Sequence, residues 1–286
     1  MFKKKRRWHC LPGQEPTELD KKIMYWEAKG KRVPTRELIK TPEQIAGIRK
    51  SGVVNTGCLD EVARQIHIGM NTQEIDDICM QYCKSHGAVP ACLNYEGYPK
   101  SVCTSINEVV CHGIPKKNDV LQEGDIVNVD MTTIVDGYYA DASRMFVIGK
   151  TTPDKERLVK VAKECLEIGV EAAKPFCFVG DIGNAIQKYA EKQGFSVVRD
   201  LCGHGVGVGF HEEPDIIHYG RKGTGMLLVP GMVFTIEPMI NMGTWEVFID
   251  ADDPYGWEVI TGDELPSAQW EYTLLMTEHG VEILTY

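Results

Sequence analysis

Apolar and polar positions are distributed unevenly along the chain. Residues 1–40 are rich in Lys, Arg, Pro and Glu and show little apolar periodicity. With Pro12-Gly13, Pro16 and Pro34 as breakers, they predict a basic N-terminal extension outside the main fold. At Thr41 the pattern changes: TPEQ supplies a capping Thr, a Pro at the first helical position and a Gln at the third, and TPDK repeats the signal from Thr152. Gly69 heads NTQEIDDICMQYCKSHG and Gly180 heads DIGNAIQKYAEKQG, each read as a capping residue and a helix closing at Gly87 or Gly194. Ile75 and Ile182 hold matching places. After each helical pair the period shortens to that of strands. IVNVDMTTIVDGYYADASRMFVI alternates about Asp136-Gly137, a hairpin signal. GMVFTIEPMI and WEYTLLMT read as short strands, with Gly203–Gly209 as a glycine-rich loop before them. Helix, helix, strands, twice over: this predicts a domain 41–286 of two similar halves, about 41–150 and 151–286, with a site between them.

The hairpin brings the first chemistry. If Asp136-Gly137 is a two-residue turn, Val135 faces Tyr138 and Thr132 faces Asp141, so Asp130 shares a sheet face with Asp141 and lies diagonal to it. Such neighbours have backbones ~7–8 Å apart, and carboxylates across that gap could bracket metal ions ~3.5–4 Å apart. Two exposed acids beside a turn are the alternative. Glu237 stands among Val, Phe, Ile and Met, and Glu271 opens an otherwise apolar strand. A buried carboxylate needs a partner, which for either one could be an Arg. In CGHGVGVGFHEEP, glycines let the backbone approach a ligand and separate His204 from His211, while His112 lies in VVCHGIP. The loop has neither the P-loop Lys nor the dinucleotide fingerprint. Carboxylates with one imidazole suit Mn, Fe(II), Co or Zn. Paired ions would lower the pKa of a shared water.

Composition narrows the classes. The chain has 286 residues and a net charge of −10, which argues against a general nucleic-acid binder. Its 10 cysteines form neither C-x-x-C nor C-x-C, so they support no structural zinc knuckle and suggest a reducing compartment. No apolar stretch reaches the ~20 residues of a membrane span, and the cytoplasm is the expected location. The basic run Lys3–Arg7 reads as a solvated tail, with contact to ribosomal RNA as its functional alternative.

SVCTSINEVVCHGIP, DGYYADASRMFVIG, GHGVGVGFHEEP, FTIEPMI and QWEYT, in that order, resemble the successive motifs of type I methionine aminopeptidases. The resemblance runs from about residue 41 to the end. It implies an α/β (α+β) pita-bread fold, two pseudo-symmetric halves around a dinuclear site, and two divalent cations held by Asp130, Asp141, His204, Glu237 and Glu271. On that resemblance Asp141 and Glu271 would bridge the ions and Asp130 would chelate one. Glu237 would also move the proton of the attacking water, and His112 and His211 would bind the peptide and polarise its carbonyl. The substrate's free α-amino group would sit on a metal, confining cleavage to the first residue of a nascent chain. Cys92, Tyr95, Tyr98, Cys103, Phe210 and Trp257 would wall a methionine pocket, and small second residues would be preferred. A monomer is expected.

The chain departs from the family pattern in three places. Trp270 and Tyr272 flank Glu271 where the family shows Tyr and His. The acidic stretch Asp250–Asp253 carries an insertion, and His9 with Cys10 does not reproduce a zinc-binding segment found at the N-terminus of some members. A proline dipeptidase or Xaa-Pro aminopeptidase shares the fold and ligands but usually carries a large N-terminal domain. A non-catalytic binding protein on this scaffold typically lacks some ligands.

Overall fold

The computed structural model describes residues 8, 10, 13 and 15–286. The basic run Lys3–Arg7, with its expected tail and ribosome contact, lies outside them, as does His9. The first half runs through α1 (Glu18–Ala28), α2 (Pro42–Gln65), α3 (Thr72–Ser85), β1 (Val89–Pro90), β2 (Cys103–Ile106), β3 (Val109–Cys111), β4 (Ile126–Val135) and β5 (Tyr138–Val147). The second runs through α4 (Pro153–Ala172), α5 (Val179–Lys192), β6 (Ser196–Val197), β7 (Gly203–Gly205), β8 (Glu212–Ile216), β9 (Val233–Ile236) and β10 (Met239–Asn241). It ends with β11 (Val247–Ile249), β12 (Val259–Thr261), β13 (Ser267–Gln269), β14 (Glu271–Met276) and β15 (Val281–Ile283).

The caps form where the sequence places them. Thr41 accepts from the backbone of Gln44, whose side chain returns the bond to Thr41 N, and Asn71 and Glu74 do the same for α3. Helix α5 is a correction: it starts at Val179, with Gly180 inside it. Asp181 is not the cap but accepts from Phe178 N one turn back.

One nine-stranded sheet joins both halves, in the order β1-β4-β5-β14-β9-β7-β8, with β2 also on β4 and β15 on β14. The β4–β5 hairpin turns at Asp136-Gly137, where both residues have positive φ (51° and 84°), and pairs Val135 with Tyr138 and Thr132 with Asp141. Alternation then sorts the strand: Val127, Val129 and Met131 enter the core beneath α2 and α3, leaving Asn128, Asp130 and Thr132 on the opposite face. Buried Asn55 of α2 stitches the back of the hairpin, donating to Ala140 O at 3.1 Å and to Met131 O.

Two further readings change. Residues 203–205 form β7 between β9 and β8, so His204 sits on a strand rather than in a loop. The glycines there serve close packing, since a Cβ on Gly205 would meet Glu213 O at 2.2 Å. The stretch before Thr41 is also structured. In α1, Ile23 is buried, with Leu19 and Trp26 packed against the core of the second half, and Trp8 Nε1 donates to buried Asp20 at 2.9 Å. Residues 32–40 then strap onto that half: Leu227 N donates to Arg32 O and Lys40 N to Gly231 O.

Candidate metal centre

The inner face of the sheet collects four acids and one histidine. Asp130 and Asp141 come from the hairpin, and Glu271 pairs with Ser143 at the start of β14. Glu237 follows β9, and His204 lies mid-β7. Ligand atoms of Asp141, His204 and Glu271 lie within 4.8 Å of one another. His204 Nε2 is 3.7 Å from Asp141 Oδ2 and 3.6 Å from Glu237 Oε1. Asp130, paired with Ser143 across the hairpin and so diagonal to Asp141, lines the same cavity as these four. Asp141, His204 and Glu271 thus form one tight group with Glu237 beside His204.

Their environment is costly without a cation. Burial pushes the Asp130 carboxyl up to about 7 and that of Glu237 up to about 8. Asp141 and Glu271 rise well above the carboxylate range, from burial first and then from nearby acids: Asp130 and Glu237 for Asp141, and Asp141, Glu237 and Asp130 for Glu271. Burial, followed by the nearby His211, lowers His204 to about 3, so its ring is neutral. His204 Nδ1 lies 3.0 Å from Gly205 O and donates to it as the protonated nitrogen, which aims the Nε2 lone pair at the carboxylates. Glu271 Oε1 is buried and has no hydrogen-bond partner. An orphaned carboxylate oxygen, crowded acids and an imidazole presenting its lone pair fit divalent cations.

Linkage gives a testable sign. Carboxyls raised to about 7 and about 8 bind protons that the unfolded chain, titrating near ~4, has released. Their contribution is full at low pH and is lost as pH rises through those folded values. The lowered histidines act oppositely, but only below their unfolded value of ~6.5. Between about pH 6.5 and 8.5, chelated protein should therefore lose about 1 kcal/mol per pH unit for each retained proton. Melting curves of chelator-treated protein read this directly, and a Tm flat or rising over that range contradicts it.

Around the acids lies a cavity of about 410 Å³. Cys92, Tyr95, Tyr98, Cys103, Phe210 and Trp257 all line it, with His112 and His211. Cys103 pairs with Asp130 across β2 and β4. His211 lies 2.9 Å from Tyr95 Oη through Nδ1 and packs 4.3 Å from the His204 ring. His112, at φ 58°, meets the Trp257 ring edge-on at 5.6 Å, and burial takes it down to about 4.

Several residues at the site carry no sequence signal of their own. Thr235 donates to Glu237 Oε1 at 2.7 Å and Gln269 to Oε2 at 3.0 Å, fixing both oxygens. Buried His218 accepts from Glu237 N at 3.1 Å. Thr132 donates to Asp141 at 2.8 Å. Buried Lys40 pairs with Glu212, whose other oxygen accepts from Val208 N and Gly209 N at 2.8 Å each and so holds the turn presenting Phe210 and His211. All are common polar residues whose meaning depends on pairing across the sheet. Lys40 alone had a cue, as a lone cation directly before the Thr41 cap.

The pattern of metallopeptidase family M24 matches residues 46–278. Over 242 residues, 85% of this chain and 94% of the relative, the sequence is 55% identical to methionine aminopeptidase A of Synechocystis. It is 49% identical over 248 residues to the methionine aminopeptidase of Escherichia coli K12, covering 86% of this chain and 93% of that one. The crystal structure of methionine aminopeptidase from Rickettsia prowazekii superposes with a TM-score of 0.84 at 46% identity, over 87% of this chain and 99% of that chain. The architecture is accordingly the pita-bread fold.

Proposed function

The chain belongs to metallopeptidase family M24, and on that premise we propose that it removes the N-terminal methionine from newly made proteins. The observation that carries the proposal is the grouping of Asp141, His204 and Glu271, with Glu237 and Asp130 lining the same cavity of soft apolar walls. Thiols and aromatic rings suit a flexible thioether.

Asp130, Asp141, His204, Glu237 and Glu271 would hold two divalent cations, for which the acids are too crowded to be left bare. Bound there, the cations would supply Lewis acidity that lowers the pKa of water and accepts the lone pair of the substrate's neutral amino end. Glu237 takes and returns the proton. Thr235 and Gln269 fix its two oxygens and so aim it for that transfer. His211, steadied by Tyr95, and His112, steadied by Trp257, flank the centre as neutral rings able to donate to the scissile carbonyl as negative charge develops on its oxygen. The confined far side of the cavity favours a small second residue. No helix among the described residues is long and apolar enough to cross a membrane. A cytoplasmic monomer acting on nascent chains, its basic run touching the ribosome, completes the reading.

The test is release of methionine from Met-Ala-Ser by protein reconstituted with Co, Mn, Fe(II) or Zn, against Ala-Pro as control. Cleavage of Ala-Pro in preference to Met-Ala-Ser would transfer the site to the proline-specific branch. No release with any of these metals would leave a binding protein.

A further inference from the structure

We infer that Asp253 is a specificity-determining residue: it knots the acidic loop so that Trp257 and His112 hold the shape of the cavity. The inference rests on the reading of that cavity as a methionine pocket.

Asp253 belongs to a loop whose neighbours face solvent, yet it is only 8% exposed. Its Oδ1 accepts from Tyr255 N at 2.9 Å. Its Oδ2 accepts from Trp257 N at 2.5 Å and Glu258 N at 2.9 Å. Burial alone would raise the carboxyl, but these backbone donors and nearby Lys116 hold it below the usual range. One side chain thus folds the segment from 253 to 258 around itself.

The knot leads to the site by two routes. Trp257, set by its own N–H, puts its ring edge-on to Tyr98 and to His112, each at 5.6 Å. Glu258, the next link, accepts from Ile114 N and from Lys116 Nζ at 2.7 Å each, pinning the turn on which His112 sits. Pairing of Val259 with Cys111 continues the joint. Backbone bonds from Gly256 N to Asp253 O at 3.3 Å and from Asp250 N to Glu258 O at 2.8 Å close the same loop, and Asp253 alone adds a side chain that binds Trp257 N among the described residues. A fixed Trp257 wall admits an unbranched thioether and resists a branched side chain of similar size. Released, it resists less.

The test compares kcat/KM for Met-Ala-Ser and Leu-Ala-Ser in the full, metal-loaded chain. Asp253→Ala should lower the Met-over-Leu ratio by about tenfold or more. In metal-free protein it should also make Trp257 easier to quench with acrylamide, read as the difference from a Trp257→Phe background. Asp253→Asn, which keeps one acceptor oxygen, should fall between, and carries the test if Asp253→Ala does not fold. Exposed Asp252→Asn should leave the ratio alone. A purely structural role would slow both substrates equally. An unchanged ratio with unchanged quenching therefore overturns the inference. Absence of methionine release by the wild-type chain would fail the functional reading itself, a result distinct from an active variant with intact selectivity.

Discussion

Glu237→Gln should lower kcat by about 10²–10⁴-fold while metal content and fold persist. Glutamine has the same shape and still offers Thr235 an oxygen. Gln269, whose Oε1 has no partner, can turn over to meet the new amide nitrogen. What disappears is a group that can release and recover a proton near neutral pH, because an amide does not titrate there. Single-turnover kinetics with metal analysis on the same sample check this. A rate within tenfold of wild type, at equal metal content, removes Glu237 from proton transfer.

Asp141→Asn should separate activity from stability. Asp141 stands at the middle of the cluster, with Asp130, Glu237 and His204 as neighbours. Asparagine keeps the bond from Thr132 but loses the charge that two cations would share. Groups that merely orient a ligand are worth 10–100-fold in metal affinity or activity, so loss of a shared ligand should cost about 10³-fold or more in kcat/KM. The metal-free protein should move the other way. Removing one of four buried acids abolishes the cost of keeping it protonated at pH 8, where the unfolded chain has released that proton, and the variant's Tm should rise by about 2 °C or more. Loss of both activity and metal-free stability would mean that the carboxylate is needed for the fold rather than for cations.

Much of this centre can be read before folding because it lies on strands of known period. A two-residue turn at Asp136-Gly137 leaves one register, and that register puts Asp130 and Asp141 on one face. Glu237 and Glu271 stand out because nothing apolar around them can satisfy a charge. The glycines about His204 mislead for the opposite reason: spacing cannot distinguish a mobile loop from a strand pressed against Glu213. Helix α1 hides among Lys, Glu and Pro even though Leu19, Ile23 and Trp26 keep helical intervals, since so short an apolar stripe becomes persuasive only against its docking surface. Asp253 is illegible for a deeper reason. Among Asp250 and Asp252, nothing in its residue type marks it as the one that turns inward.

The order in which the sheet is assembled has a consequence for the protein's own synthesis. The hairpin bearing Asp130 and Asp141 is made early, but its edge is completed by β14, which pairs with β5 and brings Glu271. A growing chain halted anywhere before residue 271 has at most four of the five donors, and its cavity lacks one wall of the sheet. The centre is therefore complete only once β14 has been made and has paired with β5.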